Sequence, residues 1–239
     1  MKILSLDCSA TPASAAVVEN GKILSYSYSN VKLTHSQTLM PMIEGVLKNS
    51  LSNIKDISCL AINAGPGSFT GVRIGIAAVK GLAAPIDIPC VAVSTLYSMA
   101  VNFFDTDCVV CAVMDARCKQ VYNALFEIEN GKISRLCEDR AVMCENLAEE
   151  LKNMSQLGNK YVIIVGDGAD IFYPYVKDIK NISLSNEQRR YQTAVSVAVA
   201  AEEKLKNGET VSAEELLPIY LRLPQAEREL KKKNEEKKL

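Results

Sequence analysis

Two segments of the chain follow the same plan, and this repeat constrains the fold more than any other feature of the sequence. The first segment begins with the apolar run Lys2–Asp7 and the second with Val109–Asp115. In each, the run ends in Asp, a polar turn follows, and a second apolar run leads to an Asn-Gly pair, at positions 20–21 and 130–131. Asn-Gly is typical of a type I′ hairpin turn, because both residues of that turn need positive φ. The repeat therefore predicts an internal duplication.

Strand-like and helix-like segments alternate after the first hairpin, which favours parallel strands covered by helices. In the first half, apolar periodicity predicts strands at Ile57–Asn63 and Pro89–Val93, and helices at Ser36–Asn49, Thr70–Ala83 and Ser94–Asn102. In the second half it predicts a helix near Glu145–Met154, a strand at Tyr161–Val165, a short helix from Ala169 and a helix at Thr193–Lys206. The chain is predicted to be an α/β protein of two related domains with a cleft between them.

The predicted first domain is residues 1–104, joined by the helix near 193–206, and the smaller second domain is residues 105–190. A C-terminal segment, residues 207–239, ends in a charged tail at Arg228–Leu239. Such a tail is typical of a solvated helix or a frayed end. A docking role for the tail is the alternative.

The charge balance limits the classes of partner. The chain has 239 residues, 27 of them basic and 28 acidic, and a net charge of −1. A protein that held RNA by charge alone would carry a basic excess, so any RNA contact is expected to be local or to belong to a partner. The start of the chain does not resemble a signal peptide and no apolar run approaches bilayer length, so we expect a cytoplasmic protein without membrane contact. The eight cysteines are then expected to be reduced and mostly buried.

Metal binding and nucleophilic catalysis are both disfavoured. His35 is the single histidine, and Cys108 and Cys111 have zinc-ligand spacing but lie in a strand pattern that points them to opposite faces. We expect no metal and no catalytic residue. Cys8 and Cys118 each follow or lie near a strand-end acid, whose charge raises the pKa of a thiol.

Polar residues at the ends of the predicted strands are candidates for a nucleotide site in the cleft. Aspartate and glycine at such turns can bring main-chain amides close to a phosphate. The alternative is that they are ordinary turn residues. The candidate nucleotide-binding residues are Asp7, Ser9, Asp115, Gly166 and Gly168.

A glycine-rich string, Ala64–Gly75, follows a predicted buried strand and opens a helix. Two glycines inside that helix cost about 1 kcal/mol each relative to alanine, so they need a packing reason. The close approach is either to a partner helix or to the chain's own sheet. The helix at Ser36–Asn49 also has apolar residues on a wide arc, which is typical of an interface. The predicted partner-binding residues are Leu39, Met42, Ile43, Val46, Gly71, Val72, Gly75, Ala78 and Val79.

These motifs together resemble the TsaB family, a subunit of the bacterial system that makes tRNA threonylcarbamoyladenosine (t6A). The resemblance covers most of the chain. It rests on the matching segments Ile3–Ser9, His35–Pro41, Ala64–Gly75, Met114–Arg117, Gly166–Ala169, Pro218–Arg222 and Pro224–Glu227. It implies a duplicated actin/sugar-kinase-like (ribonuclease H-like) fold. It also implies two partners, the catalytic paralogue TsaD and the ATPase TsaE, and a homodimer when the chain is alone.

The resemblance further implies a scaffold rather than an enzyme. The catalytic relative carries an H-x-x-x-H metal pair, and the matching positions in this chain are Thr95 and Met99. Neither residue is a good ligand for a hard or borderline divalent cation. The chain is therefore expected to have no cofactor of its own, with ATP or ADP and metal held by the partner subunits. The open alternative is an autonomous cleft ATPase or a metallopeptidase-like hydrolase.

Overall fold

The first half of the chain forms a five-stranded mixed sheet. The computed structural model describes residues 1–158 and 160–222, and of residues 155–158 it describes the main chain alone. The strand order is β3-β2-β1-β4-β5, in which β1, β2 and β3 are antiparallel neighbours and β1, β4 and β5 run parallel. The strands are β1 (Lys2–Asp7), β2 (Ala13–Glu19), β3 (Lys22–Ser29), β4 (Cys59–Gly65) and β5 (Cys90–Ser94).

The second half repeats this topology. Its strands are β6 (Cys108–Asp115), β7 (Gln120–Glu129), β8 (Lys132–Arg135), β9 (Arg140–Met143), β10 (Val162–Val165) and β11 (Ile182–Leu184). The order β8-β7-β6-β10-β11 matches the first sheet strand for strand, and β9 pairs with β7 as an addition. Again the first three strands are antiparallel and the last two are parallel to β6. The predicted duplication is confirmed.

Both Asn-Gly pairs form the predicted hairpin turns. Asn20 and Gly21 have φ of 49° and 79°, and Asn130 and Gly131 have φ of 51° and 75°. Two successive positive φ angles are the requirement of a type I′ turn, and an asparagine followed by a glycine meets it at low cost.

Helices cover both faces of each sheet. Their bounds are α1 (His35–Asn49), α2 (Phe69–Ala83), α3 (Thr95–Val101), α4 (Cys144–Gly158), α5 (Ala169–Phe172), α6 (Glu187–Arg190) and α7 (Ala194–Lys206). In the first sheet, α1 and α2 share a core with one face, and α7 packs on the other. In the second sheet, α3 covers one face, and α4 and α5 cover the other. Each half thus supplies one helix to the sheet of the other half.

The stretch Phe69–Ile86 is long and apolar enough to cross a bilayer by length and composition, with a mean hydropathy of 1.3 over 18 residues. This corrects the expectation that no run approaches that length. In the structure the inner face of α2, including Val72 and Val79, is buried in the first core. Its polar side chains Arg73 and Lys80 make hydrogen bonds to residues near the C-terminal end of the described chain. The apolar composition of Phe69–Ile86 is therefore explained by the packing of α2 on the first sheet.

Candidate functional site

A cavity of about 770 Å³ lies between the two halves. Turns that follow the strands form most of its wall, since the carboxyl ends of β1, β4, β6 and β10 meet there, which is where ligands bind in open α/β sheets. The loop before α1 and the C-terminal end of the described chain complete the wall. The lining residues are Ala10, Thr11, Lys32–His35, Pro66–Thr70, Met114–Arg117, Tyr122, Asp167 and Ile219–Arg222.

The first strand-end acid, Asp7, lies behind the cleft and not in it. Its side chain has no exposed surface. Its Oδ1 accepts hydrogen bonds from the Ser9 hydroxyl at 2.6 Å, from the Ser9 amide at 3.3 Å and from Asn63 Nδ2 at 2.8 Å. Burial raises the pKa of Asp7, and these hydrogen bonds oppose the rise. Ser9 is equally buried and also accepts from Gln192 Nε2. The prediction that Asp7 and Ser9 line the cleft is therefore wrong.

The second strand-end acid, Asp115, does line the cleft, together with Asp167. Asp115 Oδ1 accepts from the Arg117 amide at 2.7 Å, and its Oδ2 lies 3.3 Å from Arg117 Nη1. Burial, and then the nearby charge of Asp115, raise the pKa of Asp167 to about 6. Two acids with unequal environments thus face the cavity. The sequence placed the turn Gly166–Ala169 at the cleft but assigned the ligand contact to its glycines and not to Asp167.

The amides of those two glycines donate inside the protein, Gly166 to the Arg190 carbonyl at 2.8 Å and Gly168 to the Val113 carbonyl at 3.2 Å. A side-chain carbon on Gly166 would meet the carbonyl oxygen of Val113, and one on Gly168 would lie 2.8 Å from the carbonyl carbon of Met114. Both glycines therefore let the turn after β10 pack directly on the main chain of β6. Packing of the turn thus accounts for both glycines, which favours the alternative that they are ordinary turn residues.

The glycine-rich string packs on the turn after β1. A side-chain carbon on Gly67 would meet the carbonyl oxygen of Ser9, and one on Gly71 would meet that of Cys8. The Ser68 amide donates to the Ser9 carbonyl at 2.7 Å, and the Ser68 hydroxyl caps α2 by accepting from the Gly71 amide at 3.2 Å. The sequence left open whether these glycines approach a partner helix or the chain's own sheet. In the structure they approach the turn after β1 of the same chain.

The side chains predicted to bind a partner are mostly inside the molecule. Leu39, Ile43, Val46, Val72 and Val79 are buried in the first core, and Gly71 and Gly75 are buried as well. These seven residues cannot contact a partner directly, and that part of the prediction is wrong. The apolar arc of α1 and α2 mainly faces the chain's own sheet. Met42 and Ala78 are half-buried and stay available, as does the exposed Met40.

A C-terminal segment that sequence reasoning left without a role crosses the cleft. We call Leu216–Arg222 the strap. Leu216 is fully buried in the first core, and the Ile219 amide donates to the Ala64 carbonyl at 2.7 Å. At its far end, Arg222 Nη1 donates to the carbonyl of Ala116 in the second half at 2.7 Å. The match to the family's C-terminal signature was the signal for it. Pro224–Glu227 and the charged tail lie outside the described residues.

Apart from Cys118, the remaining nucleophile and ligand candidates are in structural positions. His35 begins α1, and its Nε2 lies 2.8 Å from the Ala10 carbonyl, which requires the proton on that nitrogen. Burial and the Asp7 charge raise the pKa of the Cys8 thiol, as predicted, whereas Cys118 is exposed. Cys108 and Cys111 face different cores on opposite sides of β6, as the strand pattern predicts.

The residues predicted to bind a nucleotide do not come together on the wall of the cleft. Asp7 and Ser9 are sealed behind it, Gly166 and Gly168 face β6, and the strap lines the space between the halves. Of the five candidate residues, Asp115 alone lines the cavity, and it pairs with Arg117.

Comparison with known proteins agrees with the fold and the motifs. The family model described as "TsaD: tRNA N6-adenosine threonylcarbamoyltransferase" matches residues 29–230. The tRNA threonylcarbamoyladenosine biosynthesis protein TsaB of Escherichia coli is 32% identical, with 93% of this chain and 95% of that protein covered. TsaB of Bacillus subtilis is 29% identical, with 95% and 96% covered. The solved structure of YeaZ from Pseudomonas aeruginosa has a TM-score of 0.79 at 27% identity, and covers 92% of this chain and 99% of its own.

The two equivalent sheets, their shared helices and the cleft between them define a protein of the duplicated actin/sugar-kinase-like class. The ethanolamine utilization protein EutJ of Carboxydothermus hydrogenoformans, 12% identical with a TM-score of 0.50, shares this fold alone. Within the class, the chain belongs to the TsaB family, which falls inside the wider TsaD family of tRNA threonylcarbamoyladenosine proteins.

Proposed function

We propose that the chain is a non-catalytic subunit that binds and activates a TsaD-type transferase, which attaches threonylcarbamoyl to the adenosine beside the tRNA anticodon. The observation that carries this proposal is the match to TsaB proteins over more than nine-tenths of the chain. TsaE is the proposed ATPase of the same assembly. With a net charge of −1, the chain meets tRNA through its partners, in the cytoplasm.

The non-catalytic role is supported by the surroundings of Thr95 and Met99, which match the metal-binding histidines of the catalytic relative. Both side chains are fully buried, and Met99 packs in the second core beside Leu96 and Phe103. A thioether and a lone hydroxyl form a poor ligand set for a hard cation. Metal and nucleotide are therefore assigned to the partner subunits.

The alternative of an autonomous cleft ATPase is disfavoured by the burial of Asp7 and by the strap across the cavity. The direct test is ATP turnover by the purified chain, with and without magnesium, beside a sample mixed with TsaD and TsaE. We expect hydrolysis at background level for the chain alone. Turnover that is lost in Asp115→Asn, a change at an acid that lines the cavity, would replace the scaffold proposal with an enzyme.

The proposed partner surface is the outer face of α1 and α2, revised to the side chains that are accessible. Met40 on α1 is 40% exposed, and Met42 on α1 and Ala78 on α2 are half-buried. We propose that this face pairs with a second copy when the chain is alone and with TsaD when TsaD is present. Because one surface cannot serve both, homodimer and heterodimer compete.

Co-purification with TsaD and light scattering test this surface. Met40→Glu places a charge on the proposed interface and should weaken both complexes at least about ten-fold. Ile23→Glu is the matched control. Ile23 is also exposed, at 49%, but it pairs with Val18, which faces α7 on the other side of the sheet. Wild-type complexes in both variants would place the interface elsewhere, and failure of wild type to bind TsaD would overturn the proposed function.

A further inference from the structure

The strap is fastened to the first half at its root. Val211 and Cys90 exchange two main-chain hydrogen bonds of 2.8 and 2.9 Å, which extend the edge of the first sheet. Leu216 then enters the first core, and Lys80 Nζ on α2 donates to the Glu214 carbonyl at 2.9 Å. A side-chain carbon on Gly65 would collide with the carbonyl of Ile219, so the path of the strap depends on glycine at that position.

The middle of the strap is held by stacked side chains on α2. The rings of Tyr220 and Phe69 stack with their centroids 5.0 Å apart, and the Arg73 guanidinium lies 3.7 Å from the centroid of Phe69. Arg73 Nε also donates to the Tyr220 hydroxyl at 2.6 Å. Stacking and a charge-assisted hydrogen bond together fix the direction in which the chain leaves α2.

The far end of the strap reaches the second half at a turn of unusual geometry. Arg117, Cys118 and Lys119 have φ of 66°, 55° and 57°, so three successive residues with side chains are left-handed. Such conformations persist where surrounding contacts over-determine them. Here Asp115 accepts from the Arg117 amide inside the turn, and Arg222 holds the Ala116 carbonyl from across the cleft.

We infer that the strap is a built-in latch, which holds the two halves at a fixed separation through Tyr220 on one side of the cleft and Arg222 on the other. In two-lobed proteins, a ligand commonly draws the lobes together by contacting both walls of the cleft. In this chain the strap, a segment of the same chain, contacts both walls of the cleft. The two halves are therefore held together without a bound ligand. The inference does not depend on the proposed function.

Hydrogen exchange of the full-length protein tests the latch. In Arg222→Ala the amides of Ala116 and Gln120, which close the β6–β7 turn, should exchange about ten-fold faster, because a hydrogen bond from a charged group is lost. Amides of β1 should keep their protection, which separates latch release from general destabilisation. Lys32→Ala removes a different cation from the same cleft wall and leaves the strap sequence unchanged, so it should exchange as wild type does.

The two ends of the strap should act as one unit. Tyr220→Ala should also speed exchange at the β6–β7 turn, because a strap freed from α2 no longer positions Arg222. The double variant should then exchange about ten-fold faster than wild type, and not about a hundred-fold. Wild-type exchange at the turn in Arg222→Ala, or effects of the two variants that multiply, would overturn the latch.

Discussion

Gln192 donates a hydrogen bond from Nε2 to the Ser9 hydroxyl over 2.9 Å, and this contact joins the segment before α7 to the turn after β1. Both side chains are fully buried. The Ser9 hydroxyl in turn donates to Asp7 Oδ1 at 2.6 Å, so one hydroxyl is both acceptor and donor in a sealed polar chain. Asp7 therefore stabilises the fold through these buried hydrogen bonds, whereas the sequence suggested that it contacts a ligand.

Ser9→Ala should destabilise the protein by about 2–3 kcal/mol. The substitution leaves Gln192 Nε2 without its partner and removes a short hydrogen bond from a buried carboxylate, and a buried polar group left unpaired costs its desolvation. Urea unfolding followed by circular dichroism measures the change. Ser36→Ala, at an exposed position in the first turn of α1, is the control and should stay within about 0.5 kcal/mol of wild type. Equal stability of the two variants would contradict a supporting role for the buried chain.

Asp167 should make stability depend on pH between about 4 and 6. Its pKa is raised from 3.8 to about 6, so in that window the folded state holds a proton that the unfolded state has lost. The contribution of Asp167 to the free energy of unfolding therefore falls as pH rises through this window. Above pH 6 the folded protein bears the full destabilisation of a buried, charged carboxylate.

Asp167→Asn should remove that cost. We expect the variant to match wild type near pH 4 and to be about 1–2 kcal/mol more stable at pH 7.5, in urea unfolding at both pH values. Asp178→Asn, an exposed acid in the same half, is the control and should change little at either pH. A difference between Asp167→Asn and wild type that is the same at both pH values would contradict the raised pKa.

The duplicated sheets could be predicted because their signals are local. A continuous apolar run such as Lys2–Asp7 marks a buried strand, and Asn-Gly at positions 20 and 130 marks the turn that follows. The elements β9, β11 and α6 were not predicted. They are three or four residues long, too short to show a periodic pattern, and they depend on contacts with neighbouring elements, such as the hydrogen bond from Arg140 to Asn123 on β7.

The candidate site was harder to predict, because the periodicity of a strand does not show whether the residue at its end is buried or faces a cavity. Asp7 and Asp115 end equivalent strands, yet Asp7 is sealed by Ser9 and Asn63 while Asp115 faces the cavity. The wide apolar arc of α1 suggested an interface, whereas Leu39 and Ile43 pack against the chain's own sheet. The sequence of the strap shows no helix or strand periodicity, so its position could not be predicted. It is held by single contacts to residues more than a hundred positions away, such as that of Arg222 with Ala116.

Alkylation should distinguish one cysteine from the buried ones. The thiolate is the reactive form, and burial raises the pKa of Cys8 and Cys111 and raises that of Cys59 to about 12. Cys118 is exposed at the cleft turn. With iodoacetamide at pH 8, peptide mass spectrometry should show Cys118 modified at least about a hundred-fold faster than those three thiols in the folded protein. Similar rates before and after adding urea would contradict the burial.

Gly75 should be intolerant of any side chain, for reasons inside this chain. A methyl group there would lie 2.6 Å from Cys8 Sγ and 2.8 Å from Ile62 Cδ1. Alanine gains about 1 kcal/mol over glycine within a helix, but crowding in a packed core costs about 1–3 kcal/mol. We therefore expect Gly75→Ala to lower the free energy of unfolding, and Gly75→Phe to disrupt the packing of α2 on the first sheet.

Gly81→Ala, in the same helix, is the matched control for Gly75→Ala. Nothing lies within 4 Å of the added carbon at position 81, so this change should stabilise the protein by about 1 kcal/mol. Cys8→Ala removes the sulfur that lies closest to position 75, and the Cys8→Ala/Gly75→Ala double variant should lose less stability than the two single changes combined. Urea unfolding measures all four variants. If alanine at positions 75 and 81 stabilises equally, α2 has room above the sheet at Gly75, and its small residues become candidates for an interface again.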